Sequence, residues 1–177
     1  LDIEPNPKDR NVAAAAQAAR AFKADCLVAV GGGSPIDCAK ATAIVAAAGG
    51  TARDYEGRFK SDIPPLPIIA ITTTAGTGTE ADPWMVITKE DTDEKIGSGW
   101  DSTFPYFSIV DPELMLTVPP ALTAYQGFDA LFHSTEGYIN VTANVISDMF
   151  AMKSIELIGA NLAEAVANGN DIDAREN

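Results

Sequence analysis

The chain has 177 residues, 46% of them hydrophobic, and 12 Lys+Arg against 25 Asp+Glu give it a formal net charge of −13. This composition excludes general disorder, and the length suffices for one domain with part of another around a sizeable core. The acidic balance opposes a phosphate backbone, so nucleic acid is not expected as a partner. No apolar run approaches the roughly 18 residues of a membrane span, and the opening LDIEPNPKDR is too charged for a signal sequence, so the expected location is cytoplasmic, with no membrane partner.

Residues 11–23 form an Ala-rich stretch of good helix formers, and Cys26-Leu-Val-Ala-Val30 has the length and branching of a buried strand. Gly31-Gly-Gly33 stops that strand, and Ser34-Pro35-Ile36-Asp37 opens a second helix, with Ser34 as the expected N-cap, Pro35 at the first helical position and an acid three residues past the cap. That helix runs to Ala48 before Gly49-Gly50. A charged segment at 51–62 and Pro64-Pro65 lead to Leu66-Pro-Ile-Ile-Ala-Ile71, a second strand running into Thr72-Thr-Thr-Ala-Gly-Thr-Gly-Thr-Glu80. Residues 85–88 and 95–100 suggest a β-hairpin, and 106–110 one more strand.

After Pro119-Pro120 only helical signals follow. The longest covers about 144–167, with Met149, Met152, Ile155, Ile158 and Leu162 at helical spacing and Gly169 as its stop. Asp173-Ala-Arg-Glu176 reads as the start of a helix that the chain does not go on to build. The expected fold is therefore α/β: a parallel-sheet region with a β-hairpin, followed by the start of an all-helical domain, with residues 1–118 in the first and 119–177 in the second. Cys26 and Cys38 have no CxxC spacing and are expected to be buried, reduced thiols.

Three places could carry chemistry. The 31–37 turn sets three glycines and a serine between a buried strand and a helix N-terminus, where free N–H groups and the helix dipole favour an anion. It is neither GxGxxG nor GxxxxGK[ST], and a tight βα turn needing glycine has the same form. The Thr/Gly segment suits close approach to a polar ligand, or is an ordinary solvated loop. Asp129 and His133, the chain's single histidine, lie four residues apart, so they share one helical face. That spacing allows both to bind one divalent metal, or simply to pair within the helix, with Glu136 one turn beyond.

Taken in order, Gly31-Gly-Gly-Ser-Pro-Ile-Asp37, Thr73-Thr-Ala-Gly-Thr-Gly-Thr-Glu80, Asp111-Pro-Glu-Leu114, Pro119-Pro120 and Gly127-Phe-Asp-Ala-Leu-Phe-His133 resemble the iron-dependent, or group III, alcohol dehydrogenases along essentially the whole chain. The resemblance implies an oxidoreductase that passes a hydride between NAD or NADP and an alcohol or aldehyde at a divalent metal, iron or alternatively zinc. It implies pyrophosphate contacts at Gly32, Gly33 and Ser34, with Asp37 in the same motif, and Asn6 near the adenosine half. Hydroxyl contacts fall to Thr73, Thr74 and Thr77, a contact near the nicotinamide ribose to Lys95, and the first two metal ligands to Asp129 and His133. The 31–37 and 73–77 segments should then line one cleft at the C-terminal ends of parallel strands.

The family's remaining two ligands are histidines that this chain lacks, and its first strand would precede Leu1. The chain therefore resembles the middle of a longer, homo-oligomeric enzyme and should be inactive alone. Asp82 stands where the family often has threonine, and no side chain is a convincing general base. A glycerol dehydrogenase- or dehydroquinate synthase-like relative, or a non-catalytic nucleotide-binding fragment, are the alternatives.

Overall fold

The computed structural model describes residues 3–57 and 61–177. Leu1, Asp2 and residues 58–60 of the charged 51–62 segment lie outside the described residues. The chain forms two units, one of Leu1–Thr72 and Thr79–Val110, the other of Thr73–Gly78 and Asp111–Asn177.

In the first unit, α1 (Asp9–Phe22) ends where Lys23 turns left-handed at φ 56°. β1 (Leu27–Gly31), β2 (Ile68–Thr72) and β5 (Phe107–Val110) form a parallel sheet in the order β1-β2-β5. Strand β2 starts two residues later than its apolar run suggests, because Pro67 has no N–H for the ladder; its carbonyl instead accepts from Leu27 N–H at 2.8 Å. β3 (Met85–Thr88) and β4 (Lys95–Ser98) make the antiparallel hairpin.

α2 (Gly33–Ala48) is the centre of this unit. Eight of its residues are buried, among them Ile36, Cys38, Ala41, Ile44 and Val45, so it has no solvent stripe of ordinary width. Ile36 packs with Ala29 and Ala70 on the sheet side, while Ala41, Ile44 and Val45 pack with Val12 and Ala16 of α1 and with Met85, Ile87 and Ile96 of the hairpin. The alanines of the sequence are what let these layers approach so closely.

The second unit is helical: α3 (Pro120–Ile139), α4 (Val145–Ala167) and α5 (Ile172–Glu176). Pro120 opens α3, where a missing N–H costs nothing, and Asn144 caps α4 through Oδ1, which accepts from Ile146 and Ser147 N–H at 3.0 and 3.3 Å. α3 and α4 close on each other at Gly127, where a Cβ would collide with Leu162, and at the hydrogen-bonded hydroxyls of Ser134 and Ser154, 2.7 Å apart.

Five expectations need correction. β1 is not a buried strand: Val28 and Val30 are 59% and 58% exposed, because the described residues leave that face of the sheet uncovered. α2 begins at Gly33 with Gly32 as N-cap, so Ser34 and Pro35 lie inside its first turn and Ser34 caps nothing. Cys26 is exposed; only Cys38 is buried. The hairpin's second strand ends at Ser98, since Gly99, at φ 158°, packs against Pro83 and Trp84. The last helix is built for one turn and starts earlier, with Asp171 Oδ1 accepting from Ala174 N–H at 3.0 Å, and Arg175 fastens it to Thr123 Oγ1 at 2.8 Å and Val118 O at 3.1 Å.

Candidate functional site

β1 delivers the chain to α2 through Gly31, whose φ of 140° and whose absent Cβ, which would fall 2.5 Å from Pro35 Cγ, leave no room for another residue. With Gly32 as N-cap there is no side-chain cap on α2. The first-turn N–H groups of Gly33 and Ser34 therefore have no partner inside the helix, and the positive end of the helix dipole adds to them. Ser34 Oγ accepts from Asn6 N–H at 3.2 Å, and Asn6 is left-handed at φ 55°. The structure thus brings Asn6 and Ser34 together beside Gly32 and Gly33 in one patch at the start of α2. An oxyanion is the ligand chemistry that such donors fit.

Asp37, one turn on, is engaged by the fold. Its Oδ1 accepts from Thr79 Oγ1 at 2.6 Å and its Oδ2 from Val86 N–H at 2.9 Å. Burial is the main cause that pushes this carboxyl above the usual range, against the pull of those hydrogen bonds and of Lys40. Sequence reasoning missed Lys40 altogether. Its side chain is fully buried, and Nζ donates among Thr79 O and Oγ1, Asp82 O and Oδ1, and Trp84 O at 2.6–3.1 Å. Desolvation holds the ammonium below the usual lysine range, opposed by Asp82, Asp37 and Glu80. The signal available was the Asp37/Lys40 spacing of three, which reads equally well as a solvated helical ion pair.

β1 and β2 run parallel with Gly31 paired to Thr72, so the chain leaves both strands at the same end of the sheet. Lys40 and Asp37 then fix Thr79, the residue at which the chain rejoins this unit after Thr73–Gly78. Lys95 lies exposed on β4 opposite Thr88, with no ion pair among the described residues.

Within the second unit, Thr73 and Thr74 are half-buried and Thr77 is exposed. The neighbouring Ala75 N–H donates to Gln126 Oε1 of α3 at 3.3 Å. One turn further along α3, Asp129 Oδ1 and His133 Nε2 stand 3.6 Å apart, with 47% and 60% of their side chains exposed. A carboxylate oxygen and an imidazole nitrogen on one helical face suit iron or zinc. Among the described residues no group of three or more His, Cys, Asp or Glu is placed to hold a metal. No helix among the described residues is long and apolar enough to cross a membrane.

Comparison with known proteins agrees with the sequence resemblance. The family described as iron-containing alcohol dehydrogenase matches residues 1–112, and the C-terminal family of Fe-containing alcohol dehydrogenases matches residues 123–177. The chain is 45% identical over 175 residues to alcohol dehydrogenase 4 of Schizosaccharomyces pombe, covering 99% of this chain and 42% of that protein. It is 43% identical to the NAD-dependent methanol dehydrogenase of Bacillus methanolicus, covering 98% and 45% respectively. Among solved structures, a 1,3-propanediol oxidoreductase superposes with a TM-score of 0.95 at 44% identity, over 98% of this chain and 46% of its own. Sulfoacetaldehyde reductase from Bifidobacterium kashiwanohense in complex with NAD+ superposes at 0.93 and 38%, over 99% and 47%. The chain spans a little under half the length of these relatives, and across that span it belongs to the iron-containing alcohol dehydrogenase family.

Proposed function

We propose that the chain is the cofactor-binding part, with the first half of the metal site, of an NAD(P)-dependent dehydrogenase acting on a small alcohol or aldehyde. In this reading residues 1–118 are the dinucleotide-binding α/β domain and 119–177 the beginning of a helical metal-binding domain. The observation that carries it is the uncapped N-terminus of α2, set behind Gly31 at the C-terminal end of a parallel strand. Gly32, Gly33 and Ser34 present backbone N–H groups to the pyrophosphate, and Asn6, held on Ser34 Oγ, lies toward the adenosine half. Thr73, Thr74 and Thr77 supply hydroxyls along the cofactor, and Lys95 a charge-assisted bond near the nicotinamide ribose.

Asp129 and His133 would hold the divalent cation from one side. A cation bound there would supply Lewis acidity toward a substrate oxygen, and a bound nicotinamide would supply the hydride chemistry. Asp37 serves the reading indirectly, since both its oxygens hold the chain around α2. A cytoplasmic location and a homo-oligomeric enzyme complete the proposal. With two ligands in the chain, the 177 residues alone should take up dinucleotide and show no turnover.

The test is a fluorescence titration of the chain with NADH. Saturable binding is expected, and Gly33→Asp, which sets a carboxylate among the free N–H groups, should abolish it; equal affinity of the variant would remove the phosphate cradle from the proposal.

A further inference from the structure

Gly76 sits in the middle of the Thr/Gly segment, and its backbone presses on the turn of α3 that carries Asp129. At its φ of 105° a Cβ would fall 2.8 Å from Gln126 O, 3.2 Å from Gln126 Cα and 3.1 Å from Asp129 Oδ2. The adjacent Ala75 N–H donates to Gln126 Oε1 at 3.3 Å, so the loop is tethered to the same turn by a side chain as well. Asp129 Oδ2 thus lies beside the space that a side chain at 76 would take, while Oδ1 faces His133 Nε2 at 3.6 Å. All of these residues belong to one unit of the chain.

We infer that Gly76 and Gln126 are positioning residues for the Asp129 carboxylate, and that they fasten the loop bearing Thr73, Thr74 and Thr77 to the helical turn that presents the metal ligand. A carboxylate half exposed to solvent has several rotamers, and holding one of them in advance removes an ordering cost from ion binding. The glycine acts as a stop. A methyl group at position 76 must displace either the Gln126 carbonyl, which is helix backbone, or the Asp129 carboxylate, which is the softer of the two. The Gln126 amide acts as the tether that keeps the stop in place. The inference rests on the reading of Asp129 as a ligand.

A plain need for left-handed backbone would explain a glycine at 76 equally well, and Gly78 supplies the control. It has φ 66° with nothing within 4 Å of the position of its absent Cβ, so Gly78→Ala strains the same loop without touching α3. Mn2+ binding to the complete enzyme to which the proposed function assigns this chain, read from the loss of the free-ion electron paramagnetic resonance signal, separates the two. Gly76→Ala should weaken Mn2+ about tenfold, the loss that follows removal of a group orienting a ligand. Gly78→Ala should stay within about twofold of the wild type, a strain effect alone. Gln126→Ala, which removes the acceptor for Ala75 N–H without adding charge, should weaken binding as well, and it decides the matter if Gly76→Ala fails to fold by circular dichroism. Wild-type affinity in Gly76→Ala and Gln126→Ala, or equal losses in the two glycine variants, would overturn the positioning role. Wild-type affinity in Asp129→Ala is a different outcome: it removes Asp129 as a ligand, and this inference with it.

Discussion

In the unit of Leu1–Thr72 and Thr79–Val110, α2 is enclosed by the sheet on one side and by α1 and the hairpin on the other, and even its lysine is buried. In the unit of Thr73–Gly78 and Asp111–Asn177, α3 and α4 meet along one seam, and Phe128, Phe132, Met149 and Phe150 stay more than half exposed. The two sets of candidate residues differ accordingly. Those of the first unit are largely backbone groups whose positions the whole core determines; Asp129 and His133 are exposed side chains whose positions depend on a few neighbours. Damage to the first set should therefore cost stability together with binding, and damage to the second binding with the fold intact.

The largest expected effect is at Lys40. Removing the ammonium in Lys40→Met leaves the Asp82 carboxylate, Thr79 Oγ1 and the carbonyls of Thr79, Asp82 and Trp84 without this donor, and breaking one partner of a buried charged cluster costs about 3–5 kcal/mol. Burial pushes the Asp37 carboxyl up and the Lys40 ammonium down. The favourable linkage from Asp37 is present below the ordinary carboxylate range and lost as pH rises through its folded value. That from Lys40 is present above the ordinary lysine range and lost as pH falls through its folded value. The hydrogen bonds made by Nζ, which the substitution removes, work against this cost of burial. A urea unfolding curve checks this; a loss below about 1 kcal/mol, the range of an exposed ion pair, would show that the cluster clamps nothing.

A smaller and more local effect is expected at Gly127. Gly127→Val puts side-chain atoms where Leu162 now lies, and overpacking of this kind costs about 1–3 kcal/mol, moderated here because Leu162 is only partly buried and can shift. Hydrogen exchange should show faster amides in α3 and α4 and unchanged protection in α1 and α2. Equal acceleration in all four helices would mean that the two units unfold as one, and the contrast between them would lose its meaning.

These positions also mark what the sequence could reveal. Strands β1, β2 and β5, the hairpin and the long helices were legible from apolar runs, glycines and prolines, and the Asp129/His133 pair from a spacing of four, because each signal is local. The start of α2 was misread because Ser34-Pro35 has the look of a cap, whereas three preceding glycines let the helix begin at Gly33. Asp171 was passed over for Asp173 for a similar reason, two acids competing for one cap. Lys40 and Gly76 were not legible at all: their partners lie 39–44 and about 50 residues away, and no local pattern encodes such contacts.

The smallest effect concerns the thiols, and it reports on the enclosure of α2. Cys26 is exposed and should react at once with a disulfide reagent, whereas Cys38 is 2% exposed and its thiol is pushed up to about 11, chiefly by burial. Only the thiolate attacks, so Cys38 should wait for an opening of the unit. At pH 8 the native chain should show one fast thiol and one slow one, two fast thiols in denaturant, and a single slow thiol in Cys26→Ser. Because the folded value is raised, the stability linked to this thiol is complete below the ordinary thiol range and declines as pH rises from about 9 to about 11. The slow phase should accelerate over that interval more steeply than thiolate formation alone accounts for. Lys40→Met should speed the slow thiol and Gly127→Val should leave it unchanged. Acceleration by the α3 variant would show that α2 is sealed by more than its own unit, and the comparison of an enclosed α2 with the open seam of α3 and α4 would have to be redrawn.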